Sequence, residues 1–584
     1  MGFIQLRCLP HAVQLILGKY DNPNESGQIT HFQALSAALS GTIGLGNIAG
    51  VAIAISMGGP GSILWMWVVG FLGMATKFVE CSLGTYFRHI DPKTGNVYGG
   101  PMFYIKKGLG KRWNWLSVIY CICIIFAGFG SACMFQSNQA ASALFQFYDI
   151  PVWMTGLVLM TITGLVILGG IKRIGIVASK IVPTMCLIYV FGALLICLLN
   201  SHLLGQAFSV IITDAFTGEA VAGAGLGTVI IWGVRRAIFS NEAGLGSAAI
   251  AHAAVKTNYP IREGFVAALG PLIDTLIVCT STALVIVLSG YYGSGKFISQ
   301  GNVYSFENNN KISISSSSLP IDSINDLNME SSQYIDGSYV LTLKNNTSLE
   351  PIIIGPFDTN HEAIRFSYKA IKGDLEINLL DINKNKIGAI FNNKSFCDLT
   401  VSDQQYLSSK YPFKSDEWAH AVFSFTHQFK NKINFEKFYL HINPKSSDTL
   451  WYFDNFSSVE TFSGITLTSF AFDKFLYGFG SIFITISVFF FAFSTMITWS
   501  YYGETALFYL FKGSGIILYK IIFVFLAFYG SIITLKDVIN FSDLMIGLLV
   551  IPNVIAIFLL LPVVKNLTLD YFTDLKSGKI KPYK

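Results

Sequence analysis

The chain has 584 residues, of which 52% are hydrophobic, 14% aromatic and 13% charged, and its mean hydropathy is +0.52. That composition lies outside the range of an ordinary soluble protein and reads as a polytopic membrane protein. The net charge of +5 comes from Lys and Arg scattered between apolar segments rather than gathered in one patch, so no nucleic-acid partner is expected.

The start, Met1 to Tyr20, lacks a charged leader followed by a short apolar core and a small-residue cleavage site, so no cleaved signal peptide is read there. With spans of about 20 apolar residues as the criterion, the sequence predicts ten membrane helices: 32–55, 61–86, 114–141, 151–170, 178–199, 226–255, 261–290, 475–499, 515–535 and 541–562. Lys and Arg crowd into 87–113, into 171–180 and into the tail after 562, while 56–60, 142–150 and 200–225 hold none. The positive-inside rule then expects both termini in the cytoplasm of a multi-pass cell-membrane protein, which an even number of spans permits.

The first span breaks at Gly44-Leu45-Gly46-Asn47 and the sixth at Gly244-Leu245-Gly246-Ser247. A helix interrupted by glycines in hydrocarbon is tolerated only where the freed backbone lines a cavity or binds something. Two such breaks in corresponding positions of two halves point to a secondary transporter with its site near the membrane midplane. At the first break, the freed N–H groups suit a carboxylate. The carbonyls from Ser40 to Ile43 suit a dehydrated cation. Thr42, Gly44, Leu45, Gly46 and Asn47 are therefore candidate substrate residues. Gly46 and Gly50 also fit a small-residue packing face, the bland alternative.

Around the second break, Phe239, Ser240 and Asn241 offer oxygens for a substrate ammonium, and Glu242 either binds it or braces the unwound backbone. Arg235 and Arg236 read as structural cations near a helix end, where they can pair with carboxylates. Lys77 and Glu80, three apart on one helix face of the second span, read as a structural ion pair. Asp274 has no local partner, and pairing with Lys77 or an Arg of the sixth span is favoured over a proton or gate role. In the eighth span, Ser494 and Thr495 lie in an otherwise apolar helix. Bonding back to their own helix is the common fate of such residues, but with the carbonyls of the first break they would complete an oxygen cage for sodium.

From Tyr291 to about Ser463 the composition turns polar and rich in Asn, Ser and Lys. The chain thus divides into a transporter core in two parts, 1–290 and 464–584, and an inserted extracytoplasmic domain, 291–463. Alternating runs at Tyr339–Leu343, Ile364–Tyr368, Leu375–Leu379, Ala421–Phe425 and Phe438–Ile442 predict strands of a β-sandwich, with the jelly roll as one form of it. The run from Leu450 to Phe456 is similar to the last strand of carbohydrate-binding jelly rolls. Glycan binding is thus one reading of the insert, and packing on the transporter or contact with the cell wall is the other.

Gly58-Gly59-Pro60-Gly61-Ser62-Ile63-Leu64-Trp65-Met66-Trp67 and Gly73-Met74-Ala75-Thr76-Lys77-Phe78 closely resemble the signature of the alanine or glycine:cation symporter family, the sodium:alanine symporters. So do the blocks around the two breaks and Phe491-Ala492-Phe493-Ser494-Thr495 with Trp499-Ser500-Tyr501-Tyr502-Gly503-Glu504. The resemblance covers about 1–290 and 464–584. It implies an all-α polytopic fold of about ten helices in a five-plus-five inverted repeat, shared with leucine-transporter-like proteins, and no enzymatic chemistry. It further implies sodium-coupled uptake of alanine or glycine. Carried over by position, the substrate carboxylate meets the amides of Leu45 and Gly46, and the ammonium meets oxygens of Thr42, Phe239 and Ser240. Sodium sits among the Ser40, Ile43 and Phe491 carbonyls and the Ser494 and Thr495 side chains, and Gln136 and Asn138 line the pocket.

The sequence departs from the family in several places. Members usually begin with an additional segment, whereas the resemblance here starts at Gly2-Phe3-Ile4, which raises a missing upstream helix. Ser62 and Leu64 replace residues that are usually small and aromatic, and Leu45 stands where Val or Thr is common. The insert is not a usual family feature. The sequence also admits two rival functions: a transporter-like receptor that senses an amino acid or glycan without moving it, and a proton-coupled carrier working through Glu242 or Asp274.

Overall fold

The computed structural model describes residues 3–92, 94–217, 226–290, 464–476, 478–580 and 582–583, together with the strands named below between residues 298 and 460. Two compact units result, one helical and one built from those strands.

In the helical unit, α1 (Ile4–Arg7) and α2 (Leu9–Ile16) precede a broken helix formed by α3 (His31–Thr42) and α4 (Ala49–Gly58). Next come α5 (Ser62–Tyr86), a short antiparallel ladder of β1 (His89–Ile90) with β2 (Val97–Tyr98), and α6 (Pro101–Gly108). Helix α7 (Asn114–Ala127) runs through a π-helical turn at Gly128–Met134 into α8 (Phe135–Tyr148), and α9 (Val152–Ile167), α10 (Gly170–Leu199) and α11 (Ser201–Thr217) follow. The second broken helix is α12 (Leu226–Asn241) with α13 (Ser247–His252). Helix α14 (Pro260–Pro271) passes through a second π-helical stretch, Leu272–Cys279, into α15 (Thr280–Ser289). The chain closes with α16 (Ile465–Leu476), α17 (Phe479–Phe511), α18 (Ile516–Ile532) and α19 (Leu535–Lys576).

Among the described residues, six continuous helical stretches are long and apolar enough to cross a bilayer: Ser62–Tyr86, Lys111–Phe145, Gly170–Leu199, Pro260–Ser289, Phe479–Phe511 and Asp537–Lys576. The other four predicted spans correspond to the two broken helices and to the shorter apolar helices α9 and α18. Large apolar side chains face outward, with Leu187 72%, Phe191 70%, Ile517 74% and Phe558 73% exposed, while Glu80 and Asp274 are wholly buried. That inside-out distribution is what hydrocarbon rather than water selects. The protein is a multi-pass membrane protein.

The two breaks unwind by different means. Helix α3 starts on a capping box, in which the Thr30 hydroxyl accepts from Gln33 N and Gln33 Oε1 accepts from Thr30 N. It stops after Thr42 because the Asn47 side chain takes the Gly44 N–H at 3.1 Å, supplying the acceptor a helical carbonyl would have provided. Helix α12 instead ends on left-handed backbone at Glu242 (φ 55°), Gly244 (φ 92°) and Gly246 (φ 74°). Glycine adopts that region freely and glutamate does not.

The second unit holds β3 (Ile298–Tyr304), β4 (Leu341–Lys344), β5 (Ile352–Asp358), β6 (Ala363–Lys372), β7 (Leu375–Leu380), β8 (Lys386–Asn392), β9 (Ser395–Asp398), β10 (Ala419–Ser424), β11 (Lys437–Pro444) and β12 (Leu450–Glu460). They pair antiparallel into two five-stranded sheets, β10-β6-β12-β3 with β4 also on β12, and β5-β11-β7-β8-β9. The five predicted alternating runs fall on β4, β6, β7, β10 and β11, although Tyr339, Val340 and Phe425 lie outside the described residues.

Candidate functional site

The two breaks converge on one small cavity. Gly41, Thr42, Gly44 and Gly46 contribute from the first broken helix, and Phe239, Glu242 and Leu245 from the second. Ser131 and Ala132 of the first π-helical turn, Gln136 of α8, Thr495 and Trp499 of α17 and Ile546 of α19 complete the lining. The cavity holds about 10 Å³, the space of about one water molecule.

Gln136 reaches the first break directly, its Oε1 accepting from Leu45 N at 3.0 Å. A Cβ on Gly46 would stand 2.9 Å from Phe239 Cδ1, so any larger residue there must displace the Phe239 ring. Asn47 joins the breaks behind the cavity, donating to Ser240 Oγ and to the Asp274 carbonyl, both at 3.0 Å. Thr282 donates to the Asn47 carbonyl at 2.9 Å.

The second break is held from outside its own helix. Glu80 of α5 accepts on one oxygen from Gly244 N (2.9 Å), Gly246 N (3.2 Å) and Asn553 Nδ2 (2.7 Å). Asn553 of α19 also donates to Gly244 O at 2.7 Å and accepts from the Tyr104 hydroxyl of α6. Tyr120 donates to Leu245 O at 2.9 Å. Glu242 accepts from Trp499 Nε1 at 2.8 Å and from the Ser247 hydroxyl, while Asn241 Oδ1 accepts from Ala243 N at 2.9 Å.

The residues expected at the cation cage meet in part. Ser40 Oγ donates to Ser494 O at 2.6 Å, which brings α3 and α17 together at that level. Ser494 Oγ turns back onto Phe491 O at 3.0 Å, and the buried Thr495 hydroxyl has no partner. Thr495 lies against the first break, since a Cβ on Gly44 would stand 2.4 Å from its Oγ1. Ile43 is the first residue past α3, and its N–H still donates to Leu39 O at 2.6 Å.

Several sequence expectations need correction. Asn138 does not line the cavity: its amide donates to Gly530 O (3.2 Å) and Ile533 O (2.7 Å) at the end of α18, because residues two apart on a helix point to nearly opposite sides. Lys77 and Glu80 form no ion pair among the described residues, since the Glu80 oxygen that is engaged serves the second break. Asp274 accepts from Thr275 Oγ1 at 2.5 Å and pairs with no Lys or Arg among the described residues. Arg236 does have an ionic partner, Asp543 of α19 at 2.5 Å. Glu80, Asn553, Trp499 and Ile546 join the site, and only Asn553, an amide in an apolar run, carries a local sequence signal that marks it for the site.

One end of the assembly is closed by a polar clasp. Both oxygens of the wholly buried Glu263 are taken by imidazoles, His31 Nδ1 at the start of α3 and His252 Nδ1 at the end of α13, the latter at 2.5 Å. Beside them the chain before α3 bridges the chain after α13 at Ile29 and Val255. Arg88 donates to Val255 O (2.7 Å), Thr257 O (2.8 Å), Ser26 O (2.9 Å) and Ala253 O (3.2 Å).

The comparisons with known proteins bear on the helical unit above all. The chain is similar over its full length to the sodium/alanine symporter AgcS of Methanococcus maripaludis, with 32% identity over 586 residues and 92% of that protein covered. It is 38% identical over 300 residues to the putative sodium/proton-dependent alanine carrier protein YrbD of Bacillus subtilis, and 37% identical over 293 residues to the probable sodium/glutamine symporter GlnT of the same organism. Those two matches take in about half of this chain, 51% and 50%, and 60% of each relative. The family profile matches residues 1–310 and 449–584, running past both edges of the strand-rich insert, and with it the chain belongs to the sodium:alanine symporter family.

Proposed function

We propose that the protein carries a small neutral amino acid, alanine or glycine, into the cell together with sodium by alternating access. The observation that carries this reading is the tight cavity where both unwound helix segments meet. Apart from Glu242, whose oxygens are engaged by Trp499 and Ser247, its lining carries no ionisable side chain, as a zwitterion needs, and the half-helix ends suit a carboxylate and a cation. With about 10 Å³ of free space, it takes in an amino acid only if helices move apart, and it favours the smallest side chains. The clasp of His31, Glu263, His252 and Arg88 then serves as the gate at one end, because it ties α3 to α13 and must release for that end to open.

In this proposal the substrate carboxylate meets the backbone near Leu45 and Gly46, and Gln136 fixes that backbone. The ammonium meets oxygens of Thr42 and Phe239, with Glu242 bracing the second break rather than binding substrate, since both its oxygens are engaged. Sodium takes the unpartnered Thr495 hydroxyl with Ser494 and the carbonyls of Ser40, Ile43 and Phe491. Sodium and substrate would stabilise the same unwound segment, so each raises the other's affinity. The ten spans fall in a five-plus-five inverted repeat with both termini cytoplasmic. The two sheets of the insert, residues 291–463, form an extracytoplasmic sandwich between the seventh and eighth spans.

The test is uptake of labelled alanine by proteoliposomes under a sodium gradient. Accumulation is expected, with Ser494→Ala/Thr495→Ala weakening sodium dependence more than folding. Binding without accumulation, or accumulation driven by a pH gradient alone in sodium-free buffer, overturns the reading. The names of relatives that use protons or carry glutamine make the second arm and a competition panel of amino acids essential.

A further inference from the structure

Three side chains outside the cavity hold one end of the assembly. His31 at the start of α3, His252 at the end of α13 and Glu263 in the first turn of α14 are each wholly buried. A carboxylate only accepts, so each imidazole donates from Nδ1 to its own Glu263 oxygen. A neutral imidazole has one N–H, and its Nε2 is then a bare acceptor. Both Nε2 atoms are buried with no hydrogen-bond partner among the described residues. Two nitrogens of the clasp can therefore still take up a proton.

The surroundings favour one of them. His31 Nε2 lies 3.7 Å from Asp21 Oδ1, on the chain before α3, so a proton there stands between the carboxylates of Asp21 and Glu263. Of the other charged groups around the clasp, Arg262 of α14 lies beside His31 and 3.9 Å from Glu25, and Arg88, past the end of α5, faces both Glu263 and Glu25. The Cys81 thiol faces Glu263 from α5, and His11 of α2 faces Arg262. While both imidazoles are neutral, the three carboxylates Asp21, Glu25 and Glu263 against the two guanidiniums Arg88 and Arg262 leave one negative charge. One proton on His31 cancels it, and a buried charge is costly until it is paired.

We propose that His31 is the proton-binding element of a pH-sensitive lock: acid on its side of the membrane charges the imidazole, draws Asp21 and Glu263 onto it and holds α3 against α13. This rests on the reading above in which the clasp is a gate, at the end where Tyr583 N donates to Lys19 O and which the proposed topology places in the cytoplasm. Opening parts His31 from Glu263, so the closed form binds the proton more tightly than the open one. By linkage, acid favours the closed form, with a slope of up to about tenfold per pH unit for one proton. Uptake therefore slows when the compartment on that side acidifies.

The test is hydrogen exchange of the clasp amides in nanodiscs between about pH 5.5 and 8, beside sodium-driven alanine uptake over that range with equal pH on both sides of the membrane. Gln28 N donates to Ala254 O (2.7 Å) and Lys256 N to Ile29 O (2.9 Å), so these amides exchange when the two segments part. Corrected for the intrinsic pH dependence of exchange, their protection should rise by up to about tenfold per pH unit on acidification while uptake falls. His31→Gln keeps a donor for Glu263 and takes up no proton, so both responses should flatten. Protection that stays level or drops in acid, a His31→Gln response equal to the wild type, or protection that rises while uptake stays level overturns the lock. Absence of sodium-driven uptake overturns the symport reading alone, because exchange reads the clasp without it. Should His31→Gln fail to fold, Asp21→Asn decides: losing the second carboxylate should shift both responses to lower pH, and an unshifted curve overturns the proposal.

Discussion

Removing the Glu80 side chain should unfasten the second break. One Glu80 oxygen accepts from Gly244 N, Gly246 N and Asn553 Nδ2 at 2.7–3.2 Å, and Asn553 keeps a second acceptor in Gly244 O. Glu80→Ala therefore orphans two backbone amides outright and weakens a third donor, where water is scarce. At about 1–3 kcal/mol for each buried donor left unmade, the loss comes to about 2–6 kcal/mol. Glu80→Gln keeps an acceptor oxygen in place and loses only the charge, a cost of about 1–2 kcal/mol. Melting of the purified protein in one detergent, at one scan rate because such unfolding is often irreversible, should rank wild type above Glu80→Gln and far above Glu80→Ala. Sodium-driven uptake per folded molecule should follow the same order. If Glu80→Ala melts with the wild type, the break does not depend on this carboxylate. If Glu80→Gln falls as far as Glu80→Ala, charge rather than acceptor geometry holds the break, and the ion pair with Lys77 read from the sequence returns.

Three further outcomes follow from named contacts. Gly46→Ala places a Cβ 2.9 Å from Phe239 Cδ1, and overpacking of about 1–3 kcal/mol should cut uptake by about tenfold or more. Phe239→Leu in that background should recover part of the loss, and no recovery would refute the contact. Glu263→Gln keeps one acceptor oxygen and turns an amide N–H toward the other imidazole, so one buried hydrogen bond is left unmade at about 1–3 kcal/mol, read as a lower melting temperature. His11, on the short helix α2 outside the spans, is pushed down to about 4 by burial first and then by Arg262 and Lys19. It stays neutral when folded, so its stability contribution is complete above pH 6.5, its unfolded value, and is lost as pH falls from there toward 4. Discounted for partial exposure, the loss is on the order of 1 kcal/mol. His11→Gln should flatten the melting temperature over that window, and an unchanged slope would refute the assignment.

The breaks were legible because their signal is intrinsic to the backbone: Gly44, Gly46, Gly244 and Gly246 weaken a helix wherever it sits. What satisfies the freed groups was not legible, because the partners are distant in the chain. Glu80 caps Gly244 from 164 residues away, and Arg236 finds Asp543 across 307. A local rule applied to Lys77 and Glu80 returned a neighbour where the fold supplies a half-helix end. Gln136 and Asn138 looked like one polar pair, yet helix geometry sends only the first to Leu45. The π-helical stretch at Leu272–Cys279 has no signature in the sequence, which favours pairing Asp274 with Lys77 or an Arg of the sixth span, whereas in the fold its carboxyl accepts from the neighbouring Thr275. The pattern is physical: each unwound amide must be paired inside the membrane, and α5, α8 and α19 each contribute a polar side chain to a break they do not contain. The breaks are thus held by residues found by following where the freed amides and carbonyls go, not by inspecting the glycines that freed them.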